Sequence, residues 1–406
     1  MKKIFFVTLL IMLSCSCFAA TYYSRDTGLS FTSNSLWSTT RSGATVAYPG
    51  TTHTYIIQNG HSVTLAANQT AAGVIIESGG TLAPSGNFTL TAPLTINAGG
   101  VFLINTRRQT MAGNLINNGT ITITTGRLIR GTFSLTNSGS ITMGAGQFTA
   151  TTGTFTNEAT GTMTVSGTAT ITLGTGTFTN NNTSSSVNFG SSAVTLTGTT
   201  TRSIGGFTTT GRFSANNTGG TITLTGNITA AGITRNGTGG TLNLGTGLTH
   251  TTTSTVILTA GTMNGGSSTL NVNVVSTTAW QGTASIFTPG TGTVNFGAAG
   301  AQTLSATGTN TFYNLTLSNS GVKTIGTTTV NNILSMEGTA TASAAPTYGA
   351  NATLRYNTAT GRSAGAEWLA TFAATGGVII DNTGAINPNG NKVFNLDIPL
   401  TINSGA

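Results

Sequence analysis

Four arginines stand at two neighbouring places in the chain, and their side chains are well suited to binding an anion. Arg107 and Arg108 precede Arg127 and Arg130 by about 20 residues, with no acidic residue nearby in the sequence. A guanidinium group binds sulfate, phosphate or carboxylate through two parallel hydrogen bonds. If all four stack on one face, they form a basic patch, which we expect to bind acidic surface glycans or other cell-surface material. The alternative is a solvated edge that discourages sideways aggregation.

The acidic residues are too scattered for the chemistry of polysaccharide-cleaving enzymes. Glycoside hydrolysis uses a pair of carboxylates on either side of the bond. Only Glu367, Asp381 and Asp397 follow one another within about one repeat, and they could form a column. Solvated turn positions are the simpler explanation. The sequence predicts that the chain is not an enzyme, with a carbohydrate-active β-helix (lyase or hydrolase) as the alternative.

Metal and cofactor sites are not indicated either. His53 and His61 flank a strand and an Asn-Gly turn, but two histidines without a third nearby ligand make a weak metal site. Both cysteines, Cys15 and Cys17, lie near the N-terminus. We predict no metal, no cofactor and no catalytic residue.

These side chains must be positioned by a repeating structure, because the chain repeats itself about every 20 to 24 residues. Within residues 115–189, one series of equivalent places is taken by Ile121, Ile141, Met163 and Val187, and another by Phe133, Phe155 and Phe178. Short strands and Gly/Asn turns at this period are typical of a solenoid. We predict an all-β, right-handed parallel β-helix. Equivalent asparagines could form an internal amide ladder or simply favour turns: Asn137, Asn157 and Asn180.

The chain divides into three parts. In residues 1–20, Lys2 and Lys3 precede an apolar run and small residues, which predicts a secretory signal peptide, since the run is too short to span a membrane. A lipid anchor on Cys15 or Cys17 is the alternative. Residues 21–66 break the pattern and are predicted to be an N-terminal cap with the first coils.

Residues 67–406 are predicted to be β-helix repeats. Residues 388–406 are similar in sequence to residues 84–100, and another predicted strand follows Gly100 directly. We therefore expect the solenoid to continue beyond Ala406. No later segment has membrane-spanning length without polar interruption, so a secreted or cell-surface location is expected.

The composition narrows the class of protein. Only 5% of residues are charged, and the formal net charge of +8 becomes +6 without Lys2 and Lys3. Nucleic-acid binding needs clustered Lys and Arg beside a reading element, and the sequence shows no such module. Alternating Thr, Val and Ile, as in residues 120–125, favour half-buried strands over disorder.

Thr-x-Thr patterns in residues 120–124 and 221–225 raise ice binding as a further possibility. Regularly spaced hydroxyls and methyls on a flat face could order water. The varying repeat length argues against such a lattice.

Residues 293–321 and 352–382 resemble the Gly/Thr-rich β-strand-repeat surface proteins of bacteria that use type IX secretion, and residues 56–65 (IIQNGHSVTL) are similar to the opening of many of them. The resemblance implies a secreted, surface-associated β-helix in adhesion or matrix, and it carries over no catalytic residues. Together with the repeats, it predicts the stalk or shaft of an adhesin that binds by repeated weak contacts.

Overall fold

A computed structural model describes residues 19–381 and 384–403. Residues 1–18, with Cys15 and Cys17, lie outside the described residues, so most of the predicted signal peptide does too. Parallel strands stack into a β-solenoid of about 17 turns. The predicted parallel β-helix is confirmed.

Each regular coil contributes one strand to each of three faces. The first face contains Thr21–Ser24, Thr54–Ile57, Gly73–Ile76, Leu94–Ile96, Leu115–Asn117, Leu135–Asn137, Phe155–Asn157, Phe178–Asn180, Arg202–Ile204, Thr221–Leu224, Phe287–Thr288 and Thr347–Tyr348. The second contains Leu29–Ser30, Ser62–Leu65, Thr81–Pro84, Val101–Ile104, Thr120–Ile123, Ser140–Met143, Thr162–Val165, Val187–Asn188, Phe207–Thr208, Ile228–Ala230, Thr249–Thr252, Thr269–Val272, Thr293–Phe296, Thr353–Tyr356, Val378–Ile380 and Leu400–Ile402. The third contains Gln69–Thr70, Phe88–Thr91, Arg108–Met111, Arg127–Arg130, Gln147–Ala150, Thr170–Leu173, Ala193–Leu196, Arg212–Ala215, Ser276–Gly282, Gln302–Leu304, Val322–Thr324 and Thr341–Ala342.

The remaining elements join or end these faces. Four long strands run from one face to the next: Gly232–Asn243, Val256–Asn264, Asn310–Leu317 and Thr328–Met336. Two 3-10 turns occupy Ser184–Ser186 and Ala284–Ile286. In the last coils, short strands form two separate pairs: Arg362–Ser363 with Ile386–Asn387, and Thr371–Phe372 with Val393–Phe394.

The interior is built from columns of equivalent side chains. Ile121, Ile141, Met163 and Val187 are direct register partners and are fully buried, which confirms the predicted series. Successive steps of 20, 22 and 24 residues separate them, yet the strands stay in register. The 3-10 turn Ser184–Ser186 directly precedes Val187. Turns therefore absorb the variation in repeat length.

The predicted phenylalanine series is wrong at one member. Phe155 stacks on Phe178 with ring centroids 5.0 Å apart, but Leu135 is the register partner of Phe155. Phe133 lies two residues earlier, outside the strand, and is 37% exposed. The register follows the asparagines instead, since Asn137 pairs with Asn157.

Those asparagines form the internal amide ladder, one rung longer than predicted. Asn117 donates from Nδ2 to Oδ1 of Asn137 at 2.7 Å, Asn137 to Asn157 at 2.7 Å, and Asn157 to Asn180 at 3.0 Å. The first three are fully buried. Each side chain thus satisfies a neighbour in the next coil, as buried polar groups require.

Aromatic side chains fill the N-terminal end of the solenoid. Trp37–Ser38 pairs antiparallel with Thr21–Ser24. Trp37 packs against Phe31 and Tyr55, with ring centroids 5.1 and 4.5 Å apart, and its Nε1 donates to the Phe31 carbonyl at 2.7 Å.

Candidate functional site

Two of the four predicted arginines are direct neighbours on the outside of the third face. Arg108 and Arg127 are register partners, so their Cα atoms are about 4.8 Å apart. Arg108 is exposed and Arg127 half-buried, and Arg107 is exposed in the turn just before. None of the ion pairs among the described residues involves these three. The three form a small basic cluster on the surface. We call Arg108 and Arg127 the basic pair, and Arg107 lies beside it.

Arg130 does not belong to that cluster. It is fully buried, with Nη2 donating to the carbonyls of Phe133 and Thr154, the latter at 3.2 Å. Strand side chains alternate between faces, and Arg130 lies an odd number of residues after Arg127, so it points inward. Burial lowers the pKa of Arg130 to about 10. The expectation that Arg130 contributes to a surface patch is therefore wrong.

Other inward cations bind main-chain oxygens in the same way, and sequence reasoning missed them. Arg235 is fully buried and donates to five carbonyls: those of Ala215, Asn217, Gly237, Gly240 and Thr262. Lys323 Nζ donates to the carbonyls of Ala298 and Gly300 and to Oε1 of Gln302, at 2.7 to 2.9 Å. These side chains hold turns together inside the solenoid. The sequence feature that could have revealed these side chains is an Arg or Lys at an inward-facing position of a strand.

The second face presents one continuous outward column of hydroxyl and amide side chains. We call it the polar ladder, and its register partners are Thr122, Thr142, Thr164, Asn188, Thr208, Thr229, Thr251, Asn271, Asn295 and Thr316. All ten are exposed or half-buried. Nine steps of about 4.8 Å make the ladder about 43 Å long.

Some rungs of the polar ladder touch each other, while their outer sides stay open. The Thr142 hydroxyl donates to the Thr122 hydroxyl at 3.4 Å, and Asn295 Nδ2 donates to Asn271 Oδ1 at 3.1 Å. A shallow depression of about 230 Å³ lies along three rungs, lined by Thr122, Ile123, Thr124, Thr142, Met143, Gly144 and Ser166. The turn of residues 124–126 joins this depression to Arg127, so the ladder and the basic pair lie on either side of one corner.

The suggested column of acids does not exist. Glu367 is fully buried, and it accepts hydrogen bonds from Gly365 N at 2.8 Å and the Tyr356 hydroxyl at 3.1 Å. Asp381 instead accepts from Nε of Arg355 at 2.5 Å on the outside. Asp397 lies in an exposed turn with φ 65°.

The two histidines have separate partners. Nδ1 of His53 accepts from Ala20 N at 3.1 Å, whereas Nδ1 of His61 lies 2.7 Å from the Ser24 hydroxyl. Within the described residues, no three His, Cys, Asp or Glu side chains are grouped so that they could hold a metal ion.

Comparison of the chain with protein-family models, with curated proteins and with solved structures found no match in any of the three. In residues 19–381 and 384–403, no helix is long and apolar enough to cross a membrane.

Proposed function

We propose that this chain is a secreted or cell-surface rod, the stalk or shaft of a bacterial adhesin, with a structural and adhesive role rather than a catalytic one. The observation that carries the proposal is the polar ladder, in which ten consecutive rungs place Thr or Asn in the same outward column. A surface that repeats along an axis suits a ligand that also repeats.

The partner we propose is a hydroxyl-rich polysaccharide lying along the second face. Hydroxyl and amide groups both donate and accept hydrogen bonds, as sugar hydroxyls do. One such bond contributes only about 1 kcal/mol net in water. Several rungs engaging one polymer raise the overall affinity because later contacts are intramolecular.

The basic pair with Arg107 gives this surface a preference for acidic polymers. Arg108 and Arg127 offer two guanidinium groups one rung apart, and these bind carboxylate or sulfate through paired hydrogen bonds. Arg130 has no part in this contact because it is buried.

A glycan array tests this proposal with the full chain and two matched triple variants. Thr122, Thr142 and Thr164 changed together to valine remove three ladder hydroxyls while keeping side-chain shape. The expected result is at least a fivefold loss of binding to polysaccharides.

The control changes three register partners on the outside of the first face, Thr136, Thr156 and Thr179, to valine. It should bind like the unchanged chain. Equal binding by both variants and the unchanged chain would overturn the role of the ladder.

Ice binding is a second candidate, favoured by a specific observation. The strands keep direct register although the repeat length varies, so the objection based on repeat length does not hold. Four rungs carry two outward hydroxyls each, and the first three are adjacent: Thr120 with Thr122, Ser140 with Thr142, Thr162 with Thr164, and Thr249 with Thr251. An ice-recrystallisation assay decides it, since inhibition that is lost in the ladder variant would support ice binding and no inhibition would exclude it.

A further inference from the structure

A polar cavity lies in the first coils of the solenoid. Its volume is about 270 Å³, and it is lined by Arg25, Arg41, Gln58, Asn59, His61 and Glu77. These residues come from four separate segments, which the N-terminal strands bring together. Two cations, one carboxylate, one imidazole and two amides therefore face one space.

One wall of the cavity is held rigidly. Arg41 pairs with both carboxylate oxygens of Glu77, one bond being 2.7 Å from Nη1 to Oε2, and its guanidinium lies 5.0 Å from the Tyr23 ring centroid. Gln58 Nε2 donates to the carbonyls of Ser24 and Arg41 at 2.6 and 3.1 Å. The charge of Arg41 is thus already matched by that of Glu77.

The other groups keep free hydrogen-bonding capacity. Arg25 uses Nη1 for the Arg41 carbonyl at 2.5 Å, while its Nε and Nη2 have no protein partner among the described residues. His61 Nδ1 contacts the Ser24 hydroxyl at 2.7 Å, which leaves Nε2 available. Asn59 is exposed, and Gly79, with φ 74° and no Cβ, leaves room for its amide.

We propose that this cavity binds a carboxylate-bearing sugar, such as a uronic acid at the end of a polysaccharide. Of the two guanidinium groups that line the cavity, only that of Arg25 has no ion-pair partner among the described residues. It therefore matches a single carboxylate, and its free edge can hold that group through two hydrogen bonds. His61, Asn59 and Glu77 then contact the sugar hydroxyls. This site does not depend on the polar ladder, because none of its residues lies on those rungs.

Calorimetric titration of the full chain with galacturonate, galactose and acetate tests the proposal. Galacturonate is expected to bind with a dissociation constant on the order of 1 mM, and galactose and acetate at least tenfold more weakly. Equal binding of galactose would remove the role of the carboxylate. Equal binding of acetate would reduce the cavity to a general anion site and overturn the proposal.

Two variants and two controls locate the binding. Arg25→Gln should abolish galacturonate binding, while Arg355→Gln, at a half-buried arginine outside both the cavity and the basic cluster, should leave it unchanged. If Arg25→Gln perturbs the fold by circular dichroism, His61→Gln replaces it, with at least a fivefold loss expected. Full binding by a folded variant would refute the site. The ladder valine variant should bind galacturonate normally, which separates this site from the proposed adhesive function.

Discussion

Replacing Asn137 by leucine should break the internal amide ladder at its centre. Asn137 donates to Oδ1 of Asn157 at 2.7 Å and to the Thr162 carbonyl at 3.0 Å, and accepts from Nδ2 of Asn117 at 2.7 Å. Leucine has the same number of side-chain heavy atoms in the same branched arrangement, so it creates no large cavity. The cost comes from buried polar groups that lose their partners.

The size of the loss in unfolding free energy follows from counting those buried polar groups. The two acceptors that lose their Asn137 donor cost about 1–3 kcal/mol each, while Nδ2 of Asn117 keeps its bond to the Ser140 carbonyl. The apolar leucine side chain offsets part of this through about 1.5–3 kcal/mol of burial. We expect a net loss of about 2 kcal/mol.

Hydrogen exchange is the appropriate assay, because a solenoid can unfold coil by coil and a single global transition would hide a local effect. Amides in strands Leu135–Asn137 and Phe155–Asn157 should exchange about 30-fold faster in Asn137→Leu, since 1.4 kcal/mol corresponds to a factor of ten. Thr136→Val, on the outside of the same strand, should change exchange little. Unchanged or slower exchange in Asn137→Leu would show that the hydrogen bonds of the amide ladder do not stabilise these coils.

Three further predictions concern buried or paired charges. Arg130→Met should lower stability by no more than about 1 kcal/mol, because the two carbonyls that lose the Nη2 donor are offset by removal of Nε and Nη1, which are buried without partners. Arg235→Met orphans five carbonyls and should lower stability by about 2–4 kcal/mol. Hydrogen exchange in the surrounding strands compares the two variants, and the opposite order would contradict this explanation. Burial lowers the pKa of Lys323 from 10.5 to about 8, so the folded chain releases this proton at a lower pH than the unfolded chain does. The free energy of unfolding should therefore rise with pH from about 8 to 10.5. Lys323→Met should flatten this slope. The hydrogen bond from Arg41 lowers the pKa of Glu77 below 4.5. The pairing therefore stabilises the fold above that pH, and this stabilisation is lost as the pH falls through the lowered pKa. The difference in unfolding free energy between Arg41→Gln and the unchanged chain should shrink below pH 4.5, and a constant difference would argue against the pairing.

The interior columns could be predicted because repeats place equivalent residues in register. Ile121, Ile141 and Met163 recur with the turns, and stacking in a solenoid follows directly from that recurrence. The amide ladder was visible for the same reason. Its first rung, Asn117, occupies the same place one coil earlier.

Inward and outward directions were harder to predict, because they depend on strand boundaries to within one residue. Arg127 and Arg130 lie on opposite sides of one strand. Phe133 lies two residues before Leu135, which occupies the position predicted for it in the phenylalanine series. A one-residue change in register moves a side chain to the other face. Repeat spacing alone does not fix that register when turn length varies.

The polar cavity in the first coils had no repeat to reveal it. Arg25, Arg41 and Glu77 are far apart in sequence. They meet because Thr21–Ser24 pairs with Trp37–Ser38 and with Thr54–Ile57, and Thr54–Ile57 pairs in turn with Gly73–Ile76. Such a site becomes visible only when the pairing of the first strands is known.

We propose that adhesion arises from many weak contacts along the polar ladder, and the dependence of affinity on ligand length distinguishes this from binding at a single site. Oligosaccharides of one acidic polysaccharide, from single sugars to chains longer than about 43 Å, should bind the full chain with affinity that rises steeply with length and levels off near that span. The ladder valine variant should show a shallower rise. If a short fragment binds as tightly as the polymer, the contact is a single site and the account of a repetitive adhesive surface is wrong.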